Sequence, residues 1–293
     1  MQGFVCELCP RRCGVRRELE QAGPGRCRMG ALPVVARAAP HHWEEPCISG
    51  SRGSGAVFFS GCVLRCVFCQ NGKISHENFG KVVSVPRLRE IFEDLIAQGA
   101  HNINLVSPTP FALAIREALE TPLPVPVVWN TGGYERVETL RSLEGRVQIW
   151  LPDLKYADNE LAARYSGAAD YFEAASAAIL EMHRQAGDYV LEDGLLQRGV
   201  VIRHLMLPGA LENTKAVMDW VAAHFRPGQV LFSLMAQYTP QPGAAGLLKR
   251  RVTGAEYRAA LAYMENLGIA DGYCQDAASA RAEYTPDFDL TGV

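Results

Sequence analysis

The feature that most constrains this chain is a group of three cysteines, Cys62, Cys66 and Cys69, which follows the apolar run 56–59. At this spacing one loop can wrap a compact iron-sulfur cubane, with each thiolate holding one iron. An electron-carrying cubane normally takes four cysteines, so three leave one iron open to a small molecule. The alternatives are a disulfide or a zinc site, although zinc takes four ligands and no fourth is close by. The spacing therefore predicts a metal centre with a vacant position, which indicates catalysis.

Size and composition favour one large domain with an appendage. The chain has 293 residues, of which 48% are hydrophobic, so it can bury a substantial core. We divide it into a cysteine-rich N-terminal extension (1–50), a core (51–275) and a C-terminal tail (276–293).

Charge and cysteine content indicate the cellular setting. A formal net charge of -3 gives no general attraction to nucleic acid or to anionic lipid. No apolar tract reaches the roughly 18 residues of a membrane span, and the N-terminus lacks the pattern of a signal peptide. Nine cysteines, an odd number that falls in clusters, are typical of metal ligands in a reducing compartment. We therefore expect a cytoplasmic protein.

The hydrophobic pattern predicts alternating strands and helices. Runs rich in β-branched or other apolar residues predict six strands, at 56–61, 102–106, 125–130, 147–151, 200–207 and 230–235. Helical periodicity lies between and after them, most clearly at 88–96, 217–225 and 255–267. Asn213 and Thr214 are placed to cap the second of these helices. The alternation predicts an α/β fold of parallel strands with right-handed crossovers, and a doubly wound sheet remains one form of it.

Polar side chains follow the predicted strands. Ligands of parallel α/β folds bind at the carboxyl ends of strands, where the loops converge. Each residue taken singly could instead be ordinary turn chemistry, a surface pair or a structural histidine. Their joint appearance on successive strand ends predicts one ligand pocket. The candidate cofactor-binding residues, besides the three cysteines, are Phe68, Ser107, Thr109, Asn130, Asp153, Lys155 and His204.

Several motifs resemble those of a known family. The stretch 50–55 leading into 58–62, the continuation 69–71 and the Asp-Leu-Lys element 153–155 resemble the pyruvate formate-lyase activating enzyme group of the radical S-adenosylmethionine superfamily. The segments 156–158, 203–209, 212–214 and 284–289 resemble its PflX-type branch. The resemblance implies a partial (β/α)6 barrel, open on one side to admit large substrates. It also implies a [4Fe-4S] cluster on Cys62, Cys66 and Cys69, with S-adenosylmethionine bound at the open iron.

The resemblance further implies an activity. In this superfamily an electron from the reduced cluster cleaves S-adenosylmethionine, and the 5'-deoxyadenosyl radical then abstracts hydrogen from a substrate. A flavodoxin or ferredoxin would supply that electron. The substrate would be a protein glycine, as in the activating enzymes, or a peptide or small molecule. A contrasting reading is an iron-sulfur electron carrier or a metal-dependent docking protein without turnover.

The resemblance also bears on single residues. Asp153 and Lys155 would lie close to S-adenosylmethionine, and Phe68 beside its adenine. The activating enzymes usually carry Gly-Gly-Glu after the second strand, whereas this chain has Ser107 and Thr109 there and no carboxylate. Either hydroxyl could take over that contact. No catalytic side chain is assigned beyond the cluster ligands.

A second set of four cysteines lies near the N-terminus, at Cys6, Cys9, Cys13 and Cys27. This pattern predicts a second metal centre, and the cysteine count leaves both zinc and an auxiliary iron-sulfur cluster open. Arginines intersperse the four thiols, and their charge could stabilise such a centre or engage an acidic partner. They are Arg11, Arg12, Arg16, Arg17, Arg26 and Arg28.

Overall fold

The computed structural model describes residues 2–275 and 286–293. The strands are β1 (Phe4–Val5), β2 (Arg16–Arg17), β3 (Val34–His41), β4 (Ser54–Phe59), β5 (Lys81–Val82), β6 (Ile103–Val106), β7 (Val127–Thr131), β8 (Ile149–Pro152), β9 (Val190–Glu192), β10 (Leu195–Leu205), β11 (Leu231–Met235) and β12 (Gly272–Gln275). The helices are α1 (Pro46–Ser49), α2 (Gly72–Ser75), α3 (Val85–Ala97), α4 (Ala112–Ala118), α5 (Val137–Arg141), α6 (Asn159–Ser166), α7 (Tyr171–Ala186), α8 (Leu211–His224) and α9 (Gly254–Asn266). The predicted tail and its family motif lie partly outside the described residues, at 276–285.

One mixed sheet organises the chain. Its strand order is β12-β11-β10-β8-β7-β6-β4-β3-β5, and every neighbouring pair from β4 to β12 is parallel. The parallel strands follow one another in chain order, without the reversal that defines a doubly wound sheet. The two ends of the sheet do not pair with each other in the described part of the chain. The predicted α/β fold of parallel strands, open on one side, is confirmed, and the doubly wound alternative is wrong.

Four strands of this sheet, β3, β5, β9 and β12, were not predicted. β3 runs antiparallel to β4 over nearly its whole length, so the last part of the N-terminal extension belongs to the main sheet. β12 adds a seventh parallel strand beside β11. The chain after residue 286 also pairs with β3, because the Leu290 amide donates to the Ala36 carbonyl oxygen at 3.0 Å. This tail segment thus lies along the antiparallel edge of the sheet.

The two faces of the sheet are covered differently. Most of the helices pack on one face, where the largest apolar cluster contains both strand and helix residues. On the opposite, inner face, Cys47 and Ile48 of the short helix α1 pack against Val128 and Val201. Val128 is the second residue of β7, and Val201 is followed by four more residues of β10. Helix α1 therefore fills the inner face below the carboxyl ends of the strands. No helix of the described residues is long and apolar enough to cross a membrane.

Helix α8 shows how a polar pair can serve a tertiary role. The helix begins at Leu211, with Ala210 as its N-cap, so the prediction that Asn213 and Thr214 cap it is wrong. The Asn213 Oδ1 accepts instead from the amide of Ala157 at 2.9 Å, and its Nδ2 donates to the Lys155 carbonyl at 3.1 Å. Asn213 therefore fixes the loop that follows β8 and carries Lys155.

Candidate active site

The three predicted cluster cysteines lie on the loop that leaves the carboxyl end of β4. Cys66 is buried, whereas Cys62 and Cys69 are half-buried. The Ser166 Oγ, at the end of α6, donates to the Cys66 Sγ at 2.9 Å. The loop opens with Gly61, whose φ of +80° is available to glycine at little cost. A Cβ at this position would lie 2.9 Å from the Cys27 carbonyl oxygen, so the N-terminal extension packs directly on the loop.

The chemistry of this loop matches that of a cluster ligand set. Burial raises the pKa of the Cys66 thiol to about 12, and burial also raises the pKa of Cys69. The charge of Lys155 opposes both shifts. Thiols in such a place become thiolates when a metal replaces the proton. Three thiols with no fourth cysteine on the loop fit a cubane with one open iron.

A network of charged side chains lies on the inner face below this loop. The Asp153 Oδ1 accepts from the Arg203 Nε at 3.0 Å, and the Lys155 ammonium pairs with the other oxygen of Asp153. Arg203 also donates to the Asn130 Oδ1 at 2.6 Å. Although burial opposes ionisation, Lys155 and Arg203 lower the pKa of Asp153. The structure thus brings three of the predicted residues, Asn130, Asp153 and Lys155, into one network.

Two glutamates complete the network, and sequence reasoning missed both. Glu44 and Glu45 lie just before α1. The Glu44 Oε2 accepts from Arg203 Nη1 at 3.0 Å, and its Oε1 accepts from the Nδ2 of Asn130 at 3.0 Å. Glu45 lies 4.0 Å from Arg203 and is only 2% exposed, which raises its pKa through burial. The only sequence signal was a pair of acidic residues immediately before Pro46 and the apolar pair that follows it.

Charge alternates from α1 toward the cluster loop. The order is Glu44, then Arg203, then Asp153, then Lys155, with Cys66 among the groups that raise the pKa of Lys155. Burial opposes each of these charges, and the opposite charges on either side hold them in place. The arrangement keeps a lysine ammonium at the cluster loop.

The side chain of Glu135, which follows β7, contacts the turn after β6. Thr109 Oγ1 donates to the Glu135 Oε1 at 2.6 Å, and Thr131 Oγ1 donates to the same oxygen at 2.5 Å. Glu135 is buried, which raises its pKa, and its Oε2 has no hydrogen-bond partner among the described residues. Sequence reasoning found no carboxylate at this turn because Glu135 follows β7. Ser107 sits at a φ of +59°, and its amide donates to the Asn130 carbonyl at 2.9 Å.

The remaining predicted residues have different surroundings. His204 follows Arg203 on β10 and therefore faces the helices. Its Nδ1 lies 2.7 Å from the Leu154 carbonyl and its Nε2 lies 3.0 Å from the Thr214 Oγ1. The structure thus does not bring His204 together with the inner-face network, because both ring nitrogens are engaged on the other face. Burial lowers its pKa to about 4. Phe68 is buried among the tyrosine rings of Tyr156, Tyr165 and Tyr238.

The N-terminal cysteines lie in a small unit around the β1–β2 hairpin. Cys6, Cys9 and Cys27 are buried, and Cys13 is exposed. Burial raises the pKa of Cys9 to about 12, and the charges of Cys27 and Cys6 act in the same direction. In residues 2–275 and 286–293 no three Cys, His, Asp or Glu side chains have the geometry of a metal site. That statement covers both this unit and the cluster loop.

Comparisons with known proteins bear on the family and the fold of this chain. The model of the Radical SAM superfamily matches residues 56–221. The uncharacterised protein MJ0674 of Methanocaldococcus jannaschii is 30% identical over 278 residues, which cover 90% of this chain and 75% of that protein. The crystal structure of SuiB from Streptococcus suis is similar with a TM-score of 0.50 and 13% identity, covering 78% of this chain and 50% of SuiB. A domain of pyruvate-formate lyase-activating enzyme from Bacteroides vulgatus matches 66% of this chain and 91% of that domain, with 14% identity and a TM-score of 0.39.

These similarities support different conclusions about the fold and the family. This chain spans about half the length of SuiB, and the likeness to SuiB concerns the fold. The superfamily match covers more than half of the chain and includes the three cysteines of the cluster loop. The archaeal relative aligns with nearly all of the chain. The chain therefore belongs to the radical S-adenosylmethionine superfamily.

Proposed function

We propose that this protein is an oxidoreductase that cleaves S-adenosylmethionine reductively and uses the resulting 5'-deoxyadenosyl radical to abstract hydrogen from a substrate. A [4Fe-4S] cluster bound by Cys62, Cys66 and Cys69 would supply the electron and the open iron. One observation carries the proposal. A loop with three thiols lies at the carboxyl end of β4, and the largely buried Lys155 acts electrostatically on two of those thiols, Cys66 and Cys69.

The chain's own residues would prepare this site in distinct ways. Asp153 and Arg203 hold Lys155 in place, and its ammonium can meet the carboxylate or the ribose of S-adenosylmethionine. Phe68 offers an aromatic edge near the same loop. Ser166 donates a hydrogen bond to Cys66, which stabilises negative charge on its sulfur.

The substrate is proposed from kinship alone. The resemblance to the PflX-type branch of the activating enzymes favours a protein glycine as the hydrogen donor, which would become a glycyl radical. A peptide or a small molecule is the second candidate, since the sheet is open at one side. We further propose a flavodoxin or ferredoxin as the electron donor and the cytoplasm as the location.

Reconstitution tests the activity against the carrier alternative. The full-length protein, reconstituted without oxygen and supplied with dithionite and S-adenosylmethionine, should release 5'-deoxyadenosine. Release should vanish in Cys66→Ala and persist in Cys274→Ala, which removes an exposed thiol on β12, six strands from β4 in the sheet. A wild type that binds the cluster but releases no 5'-deoxyadenosine would favour an electron carrier or docking protein.

Glycyl radical formation requires its own measurement. A candidate partner encoded near this gene is incubated with the reduced enzyme and S-adenosylmethionine, and its electron paramagnetic resonance spectrum is recorded. A carbon-centred doublet supports activation of that partner. Absence of the doublet from every candidate, together with normal release of 5'-deoxyadenosine, would favour a peptide or a small molecule as the substrate.

We also propose a second metal centre at Cys6, Cys9, Cys13 and Cys27, holding either zinc or an auxiliary iron-sulfur cluster. Support comes from the pattern of the four thiols and from the mutual electrostatic influence of Cys6, Cys9 and Cys27. Metal analysis of the full chain should find metal beyond that of the cluster loop, and Cys9→Ala should lose it. If the wild type and this variant have equal zinc and iron contents, the four cysteines do not form a second metal centre.

A further inference from the structure

Three arginines surround the exposed side of the cluster loop. Arg26 and Arg28 belong to the N-terminal extension and are exposed, and Arg65 lies on the loop itself. Burial lowers the pKa of Arg65, and the positive charges of Arg28 and Arg26 lower it further. The guanidinium of Arg65 is therefore close enough to those of Arg26 and Arg28 to be repelled by both. We call this group the arginine patch.

The arginine patch is not neutralised by carboxylates. In residues 2–275 and 286–293, no ion pair involves any of its three arginines. Arg87 and Arg89 on α3, by contrast, pair with Glu90 and Glu93. A chain with a net charge of -3 thus concentrates uncompensated positive charge at one place. Such a local field attracts a partner of opposite charge.

The patch is fixed to the cluster loop by hydrogen bonds. The Arg26 Nη2 donates to the Leu64 carbonyl at 3.3 Å, and the Arg65 Nη1 donates to the Arg26 carbonyl at 3.3 Å. The Arg65 Nη2 also donates to the His76 carbonyl at 3.0 Å. Beside them Val67 is 55% exposed, although its neighbours Cys66 and Phe68 are buried. The surface therefore combines a positive rim with an apolar contact next to the cluster ligands.

We propose that the arginine patch, with Val67, is the docking surface for a small acidic redox protein that delivers an electron to the site. This rests on the proposed function, which requires a one-electron donor. Electron transfer falls steeply with distance, and Arg65 of the patch lies on the same loop as the half-buried Cys62. The substrate, by contrast, would meet the inner-face network. That network has the carboxylates of Glu44, Glu45 and Asp153 against the cations of Arg203 and Lys155, so it does not present uncompensated positive charge.

Binding of an acidic flavodoxin tests this surface without turnover. The dissociation constant of oxidised flavodoxin for the full-length protein is measured by calorimetry at low and high salt, for the wild type and for the double variant Arg26→Glu, Arg28→Glu. We expect the double variant to bind at least about tenfold more weakly at low salt, since reversed charges repel the partner. The difference should shrink at high salt because exposed charges are screened. The control Arg226→Glu makes the same kind of change on an exposed arginine before β11, at the opposite rim of the sheet.

The possible outcomes distinguish failure of the proposed docking surface from failure of the proposed function. With dithionite as reductant, the double variant should release 5'-deoxyadenosine at the wild-type rate, whereas with reduced flavodoxin its rate should fall about tenfold, in step with binding. Equal flavodoxin affinity for the wild type and the double variant would overturn the docking surface. Weaker binding in Arg226→Glu as well would also overturn it, because the effect would then reflect net charge. Failure of the wild type with dithionite would instead count against the proposed function.

Discussion

Arg203 and Asp153 are joined by a hydrogen-bonded ion pair of 3.0 Å on the inner face of the sheet, where both side chains are largely buried. Arg203 also pairs with Glu44 at 3.0 Å, so a single guanidinium links the segment before α1 to the strand ends below the cluster loop. A buried charge is tolerated only when its partners are present, and each member of this group depends on the others.

Removing the guanidinium should destabilise the fold strongly. In Arg203→Met the carboxylates of Asp153 and Glu44 stay buried without their common partner, which should cost about 3–5 kcal/mol of unfolding free energy. Urea denaturation at neutral pH measures this loss. Arg87→Met, which removes an arginine from an exposed pair on α3, should change the same quantity by less than about 0.5 kcal/mol. Equal stability of the two variants would contradict the role given to Arg203.

Gly61 should be required for the packing of the N-terminal extension on the cluster loop. Gly61 and Gly145 have nearly the same φ, +80° and +79°, so alanine meets the same backbone strain at both. An added Cβ at Gly61 would meet Met29 and the Cys27 carbonyl, whereas at Gly145 it would meet nothing within 4 Å. We expect Gly61→Ala to lose about 1–3 kcal/mol more than Gly145→Ala and to retain less iron after reconstitution. Matching stabilities and iron contents would show that this contact is unimportant.

Ser166 should tune the reduction potential of the cluster. Its Oγ donates to the Cys66 Sγ at 2.9 Å, and such hydrogen bonds stabilise the added electron. Ser166→Ala should therefore make the potential more negative, measured by a spectroscopic redox titration of the reconstituted protein. Ser176→Ala, on the exposed side of α7, serves as the control and should leave the potential unchanged. A shift in the positive direction, or none, would argue against this hydrogen bond in the loaded enzyme.

Glu181 on α7 should make stability depend on pH. A hydrogen bond from Arg184 lowers its pKa to about 2 from an ordinary value of 4.5. Because the folded-state pKa is the lower one, the stabilisation is present above about pH 4.5 and is lost as the pH falls toward 2.

The variant Glu181→Gln measures this contribution. Since Arg184 is half exposed, we expect a loss of about 2 kcal/mol at pH 7 rather than the full value of the shift. The gap to the wild type should close near pH 2, as followed by urea denaturation of the metal-free chain. The exposed Glu192→Gln is the control and should follow the wild type throughout. A gap that stays constant from pH 7 to pH 2 would contradict this assignment.

The strands were predictable because each is a short apolar run between helical patterns. Each of the six predicted runs overlaps a strand, and the order of these strands in the sheet follows their order in the chain. β3 was not predicted because it combines Arg37, Pro40 and His41 with apolar residues and precedes the alternation of strands and helices. β12 is only four residues long, with no clear apolar alternation.

The spacing of the three cysteines singles out their loop in the sequence, but it does not predict the contacts that this loop makes in the fold. Glu44 reaches Arg203 across 159 positions of the chain, and Ser166 reaches Cys66 across 100. Single-sequence patterns carry no information on such pairs, because only the folded sheet brings them together. His204 shows the converse, since its position near a strand end is a poor guide to the face on which its side chain lies.

In the proposed enzyme, Cys62, Cys66 and Cys69 leave one iron of a cubane open for S-adenosylmethionine. Electron paramagnetic resonance of the reduced, anaerobically reconstituted protein tests this directly, with spectra recorded before and after S-adenosylmethionine is added. We predict that the signal of the reduced cluster changes on addition, and that Cys66→Ala gives no such change. An unchanged signal in the wild type, or a cluster whose four irons all have protein ligands, would contradict the account.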